Sequence, residues 1–200
     1  MNLTSLISKR RSIRKFKPQA VTREQLEAII ESGILAPSSK NRQPWHFIVV
    51  CEGSSAKESA LAAIERGLER EKRCPLLPNS AGSLTDAENT LNIMRQAPAI
   101  IFITNPLGAD IRKPLSPEER VYEICNAQSV GAAVKNMSLT AAELGLRSLW
   151  ICNTFFAFDE LTEFLDTNGV LYAALAVGHP DEDPPPRPRK TSEEVTEWLE

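Results

Sequence analysis

Residues 118–145 read EERVYEICNAQSVGAAVKNMSLTAAELG. The run predicts one long helix. Val121, Ile124, Cys125, Gln128, Ala132 and Leu139 fall roughly on one side of it at helical spacing. Val130, Val134 and Met137 put further apolar groups around it, and Gly131, Ala132 and Ala133 keep its middle slim. A helix apolar on several sides is a buried helix. This one therefore stands at the heart of the domain or against a partner subunit, and the remaining elements have to be fitted around it.

Upstream, residues 3–9 form a short helical candidate that runs into a basic cluster, and Pro18 breaks the chain. Thr22 and Gln25 make a capping box that opens a helix. Its apolar face is Leu26, Ile29, Ile30, Gly33 and Ile34. Pro37 ends it, because the residue before a proline is pushed out of the helical region. Residues 45–51 form a strand by their apolar, β-branched run, and a polar helix follows over 56–72. Residues 74–85, with two prolines, a glycine and small polar residues, read as a loop of the kind that makes a lid or mobile connection. Strands follow at 99–104, 148–152 and 171–178, the first wholly buried and stopped by Asn105-Pro106. Asp159 caps a short helix, and Thr191 with Glu194 caps a last helix reaching Trp198. Residues 181–190 carry four prolines, too stiff and too poor in N–H donors for regular structure. There are no internal repeats. Strands interleaved with helices argue for a layered α+β or α/β fold.

The chain has 200 residues, 42% apolar and 24% charged, which suits one soluble globular domain. A chain of this size buries roughly 70% of its unfolded surface and needs no metal or disulfide staple. The 23 Lys and Arg against 26 Asp and Glu leave a net charge of −3, which argues against a nucleic-acid coat. No run approaches the roughly 18 apolar residues that span a bilayer, and the N-terminus lacks the pattern of a signal peptide. Cys51, Cys74, Cys125 and Cys152 are widely spaced, with no CxxC pair, and His46 and His179 are far apart. Three of the cysteines sit in apolar or helical stretches, where a buried inert thiol is expected. Reduced cysteines without an export signal point to the cytoplasm.

Three features carry chemistry. Lys9, Arg10, Arg11, Arg14, Lys15 and Lys17 put six cations into nine residues of an acidic protein. Such a concentration repels itself unless solvent or an anion relieves it. It fits either a solvated helix end or a phosphate site, in which guanidinium groups grip the dianion and the Ser12 hydroxyl donates to it. Arg187, Arg189 and Lys190 form a second basic spot behind the prolines. That spot is a surface tail, or a stiff segment returning two alternate arginines to the same phosphate. The third feature is residues 37–47, PSSKNRQPWHF, where hydroxyls and amides crowd between two prolines just before a strand. A loop of that kind can present polar groups to a planar ring. Trp45 and Phe47 are expected as core anchors, and His46 as a core hydrogen-bonding residue rather than a base. No GxGxxG, GxxxxGK[ST] or GxSxG occurs. With no evident nucleophile, base or metal cluster, difficult chemistry would have to come from a cofactor.

These residues, in this order, resemble the nitroreductase family of FMN-dependent oxidoreductases. The resemblance runs through residues 10–16 (RRSIRKF), 36–45 (APSSKNRQPW), 131–136 (GAAVKN), 144–146 (LGL) and 177–180 (VGHP), and on to the arginines at 187 and 189. It implies an α+β sandwich with a mostly antiparallel central sheet, forming an interlocked homodimer through the long helix, with FMN at the subunit interface. It implies a single domain over 1–200, in which residues 181–200 complete the flavin site and wrap the partner. By position, Arg10, Arg11 and Ser12 would bind the FMN phosphate, joined by Arg187 and Arg189. Arg14 would face the pyrimidine edge of the flavin and hold the negative charge that reduction places there. Pro37, Ser38, Ser39 and Asn41 would pack on the ring from the other subunit, and Asn89 would reach the pyrimidine. Cys152-Asn153 would stand near flavin N5, where many members have an acidic residue or glycine followed by glycine. The implied reaction takes hydride from NAD(P)H and passes it, in ping-pong fashion, to a nitroaromatic, a quinone or a related small acceptor. A specialised family reaction (reductive dehalogenation or flavin cleavage) and a non-catalytic flavin sensor or store are the alternatives.

Overall fold

The computed structural model describes residues 2–167 and 169–199. Four strands, β1 (His46–Cys51), β2 (Ala99–Asn105), β3 (Arg147–Ile151) and β4 (Val170–Gly178), form one antiparallel sheet in the order β1-β2-β4-β3. Among the described residues seven α-helices surround it: α1 (Leu3–Lys9), α2 (Arg23–Ile34), α3 (Ser55–Arg73), α4 (Leu84–Gln96), α5 (Pro117–Glu143), α6 (Phe158–Leu165) and α7 (Ser192–Val195).

The central strand shows why the layers form. All seven residues of β2 are buried, and alternate side chains point to opposite faces. Ile100 and Phe102 join a core with Ile64 and Leu68 of α3, Leu91 and Met94 of α4, and Leu161 of α6. Ala99, Ile101 and Ile103 join the other core, with Leu26 and Ile29 of α2 and Val130, Val134 and Met137 of α5. The protein is thus a helix–sheet–helix sandwich with two separate apolar cores.

The expected capping box at α2 is present: Thr22 Oγ1 accepts from Gln25 N at 3.2 Å, and Gln25 Oε1 accepts from Thr22 N at 3.0 Å. Gly145, at φ 77°, takes the left-handed conformation just past α5 that a side chain would resist.

The long helix corrects its own reading. The side expected from Val121, Ile124, Cys125, Gln128, Ala132 and Leu139 is not the one that faces the core. The buried residues are Asn126, Ser129, Val130, Ala133, Val134, Met137, Ser138, Ala141 and Ala142, while Val121, Tyr122 and Ile124 are exposed. The buried face mixes small residues with Val130, Val134 and Met137, and α5 lies tightly against α2, where a Cβ on Gly33 would come within 2.8 Å of the Met137 side chain. Three further expectations change. Residues 74–85 are not all loop, since a 3₁₀ turn covers Pro78–Ser83 and α4 begins at Leu84. Asp159 lies inside the first turn of α6, whose N-cap is Ala157, because the buried Phe158 starts the helix. The Thr191–Glu194 box does form, but α7 stops at Val195, having no buried residue to extend it.

Candidate functional site

Two ends of the chain meet at the edge of the sheet. Ser12 forms a parallel bridge with Ser148 of β3, and Ile13 N donates to Ser148 O at 3.2 Å. Ile13 and Phe16 are buried in the α3-side core. The Phe16 ring lies so close to Gly178, which ends β4, that a Cβ there would fall 2.8 Å from it. Past β4, the chain turns back on this segment: Lys17 N donates to His179 O at 2.9 Å, Asp181 N to Lys15 O at 3.0 Å, and Arg14 N to Glu182 Oε1 at 2.5 Å. Residues 15–17 and 179–182 therefore run side by side, and the prolines that follow hold the tail across the N-terminal segment.

The result is a pocket of about 1010 Å³ lined by Arg10, Arg11, Ser12 and Arg14 from one end, by prolines 184–186 and 188 with Arg187 and Arg189 from the other, and by Lys135 of α5. Among the described residues that line it are six cationic side chains and no carboxylate, the Glu182 carboxylate on Arg14 N lying outside the lining. None of them takes part in an ion pair among the described residues. Arg11 Nη1 donates only to main-chain oxygens, Ser8 at 2.6 Å and Arg10 at 2.9 Å. Burial pushes the Arg10 pKa down, and the charges of Arg189 and Arg11 push it further. Lys135 is lowered by burial and then by Arg10. Such an assembly of like charges is stabilised by an anion from outside.

The structure thus brings Arg10, Arg11, Ser12, Arg14, Arg187 and Arg189 together. It does not bring Pro37, Ser38, Ser39, Asn41, Asn89, Cys152 or Asn153 into this pocket. The 37–43 loop instead sits on α5: Ser39 N donates to Ser129 Oγ at 3.3 Å, and the Arg42 guanidinium lies 4.4 Å from the centre of the Tyr122 ring. Lys40, Asn41 and Gln43 all have positive φ, a strained turn that the packing on α5 holds in place. Asn89 is exposed on α4. Beside it, Thr90 Oγ1 accepts from Asn153 Nδ2 at 2.9 Å, so the turn after β3 is tied to α4. Four residues of extended chain, about 13 Å, separate Ser148 beside the pocket from Cys152.

Two expectations fail here. His46 is exposed at the start of β1 rather than bonded in the core; both cores cover the strand only further along, at Phe47 and Val49 on one face and Ile48 and Val50 on the other. No cysteine is fully buried: Cys51 and Cys125 are half-buried, and Cys74 and Cys152 are exposed. Desolvation nonetheless raises the Cys152 pKa, which keeps it a thiol rather than a nucleophilic thiolate. Lys135 was the residue missed by sequence reasoning. Its signal was a cation in a small-residue stretch with no acid one helical turn away, since positions 131, 132, 138 and 139 are Gly, Ala, Ser and Leu.

The sandwich has counterparts among known proteins. The pattern of the nitroreductase family matches residues 7–179. YdjA of Escherichia coli K12, which carries the provisional name NAD(P)H nitroreductase, is 30% identical over 151 residues, 75% of this chain and 72% of that one. A BluB-like flavoprotein from Clostridium difficile 630 is 26% identical and superposes with a TM-score of 0.76, covering 100% of both chains. A protein of Desulfovibrio desulfuricans, provisionally described as a nitroreductase and solved in complex with FMN, is also 26% identical. Its TM-score is 0.65, over 100% of this chain and 98% of that one. The fold is the α+β nitroreductase sandwich, and the chain belongs to the nitroreductase family.

Proposed function

We propose that this protein is an FMN-dependent oxidoreductase that takes hydride from NAD(P)H and delivers it to a small acceptor such as a nitroaromatic or a quinone. It works as a homodimer with its cofactor sites between subunits. The observation that carries the reading is the pocket of six cations without a carboxylate, built from both ends of the chain and the central helix. Its chemistry fits a phosphate monoester, which carries close to two negative charges and is gripped by paired guanidinium donors. The FMN complex of the Desulfovibrio relative supports the same ligand.

When bound, the flavin supplies the centre that accepts and releases hydride. The chain supplies what holds and tunes it. Arg10, Arg11, Ser12, Arg187 and Arg189 bind the phosphate. Arg14 presents a fixed positive charge to the pyrimidine edge, where negative charge develops. The loop bearing Pro37, Ser38, Ser39 and Asn41 serves the ring in the other subunit, and Asn89 with Cys152-Asn153 borders it at the far end of β3. The side-chain amide of Asn153 donates to Thr90, so its backbone N–H would be the group offered to the ring.

Exposed Val121, Tyr122 and Ile124 on α5 supply an apolar face for the second subunit. Val195, Trp198 and Leu199 of the tail, all largely exposed, supply apolar groups for wrapping it. The test is anaerobic titration of the FMN-loaded protein with NADH and with NADPH, followed by an acceptor panel. Bleaching of the flavin band by a nicotinamide and its recovery with an acceptor are expected. Protein that takes up no FMN refutes the cofactor assignment, and bound FMN that neither nicotinamide bleaches refutes the oxidoreductase.

A further inference from the structure

Lys135 is the cation of the pocket that comes from neither end of the chain. It projects from the middle of α5, half-buried, and lines the same cavity as Arg10, Arg187 and Arg189. A lysine in a helix commonly has a carboxylate one turn away; here the four positions that could carry it are Gly131, Ala132, Ser138 and Leu139. No ion pair among the described residues reaches it from another element either. Burial and the neighbouring Arg10 both work against its charge. In the empty pocket, the charge of Lys135 is therefore disfavoured. A phosphate reverses the sign of the balance, because a nearby anion favours the ammonium and provides an acceptor for its three N–H donors.

We infer that Lys135 is a ligand of the phosphate group, contributed by the central helix and opposite the arginines of the two chain ends. The inference rests on the phosphate reading of the pocket and goes beyond it in assigning α5 a direct part in binding. Arginines fix the orientation of a phosphate through their planar forks. A lysine adds a compact, rotatable point charge that completes the cage without constraining geometry. Since α5 also bears the exposed apolar face at Val121 and Ile124, phosphate held by Lys135 fastens the cofactor to that same helix.

The test uses the full-length protein freed of ligand, with FMN and riboflavin as probes, the second lacking the phosphate. Flavin fluorescence gives the two dissociation constants for wild type, K135M, K135Q and K135R, and thermal melting in phosphate-free buffer gives the stability of each empty form. K135M and K135Q should weaken FMN binding about tenfold or more, the loss of one charge-assisted hydrogen bond. Riboflavin binding should be unchanged, and the melting temperature of the empty protein should be equal or higher. K135R should keep most of the FMN affinity. A purely structural lysine would lower the melting temperature and weaken both flavins alike, and that result overturns the inference. So does unchanged FMN affinity in K135M and K135Q. If wild type itself fails to prefer FMN over riboflavin, the phosphate reading falls with it. If wild type prefers FMN and only the Lys135 variants fail to respond, the pocket stands and Lys135 alone is excluded.

Discussion

Arg70 and Arg10 are both partly buried arginines, and their surroundings are opposites. Arg70, at the end of α3, donates from Nε and Nη2 to the two oxygens of Glu160 at 2.8 and 3.2 Å, and from Nη1 to Glu71 at 2.7 Å. Glu71, its side chain only 2% exposed, also accepts from Leu76 N and Leu77 N and so fastens the start of the 74–85 segment. The Glu160 carboxylate holds the Arg70 pKa well above its ordinary value, whereas burial and like charges lower that of Arg10. A hollow of about 450 Å³ near Arg70 is likewise lined by both signs, Glu65 and Glu69 with Arg66 and Arg73. The difference separates two uses of a cation. One is neutralised within the chain and serves the fold; the other is left unneutralised, as the proposed phosphate site requires.

Removing both tail arginines should break the ligand side most severely. With Arg187→Ala and Arg189→Ala combined, FMN binding should weaken on the order of a thousandfold, from two charge-assisted contacts at about 2 kcal/mol each. The empty protein should melt no lower than wild type, because relieving repulsion offsets what little the exposed tail contributes. Loss of thermal stability with FMN affinity intact would mean that the pocket belongs to the fold after all.

Arg70→Met should do the reverse. It strands the Glu71 carboxylate in the core, and unfolding in urea should show a loss of about 3 kcal/mol. The FMN dissociation constant of the folded variant should not move. A stability change below about 1 kcal/mol would show that the pairing is incidental.

A third surface is unsatisfied in a different way. The N-terminal half of α5 exposes Ile124 at 53% and Val121 at 55%, while its C-terminal half buries Val134 and Met137 completely. Placing a carboxylate there by Ile124→Glu should weaken self-association by about 2 kcal/mol, roughly thirtyfold, read by sedimentation. A dimer as tight as wild type would move the subunit contact to another face.

The same contrast explains what could be read from the amino-acid order. Thr22 with Gln25 and the buried run of β2 are local signals, and each forms as expected. From composition, the meeting of the two cation clusters was one of two open readings, and only the family resemblance favoured it, because composition shows charges without showing what neutralises them. Sheet pairing across Phe16 and Pro180 is what brings the ends together, and it is non-local. The inner face of α5 was misassigned because bulk suggests burial, yet Ser129, Ala133 and Ala141 are buried while Val121 and Ile124 are exposed. Helix α4 was hidden behind its prolines and glycine: Leu84, Ala87, Leu91 and Met94 have helical spacing, but Ser83 makes no cap bond to announce the start.

Arg112 supplies a paired arginine at the surface and completes the scale. Its Nε and Nη2 donate to Asp110 and its Nη1 to Asp159, each at 2.8 Å, yet half of its side chain remains in solvent. Hydrogen bonds from Arg112 hold the Asp110 carboxyl down, from 3.8 to about 2. A carboxyl with a lowered native pKa stabilises the fold above its unfolded value and loses that contribution as pH falls through the native one. The stabilisation should therefore be complete above about pH 4 and disappear toward pH 2, and solvent screening should limit it to under about 1 kcal/mol. Asp110→Asn should remove this step from the acid arm of a stability profile and leave the profile near neutral pH lower by the same small amount. If the loss were as large as that of Arg70→Met, burial of the carboxylate would not be what sets the worth of a pair, and the division drawn between Arg70 and the surface would have to be abandoned.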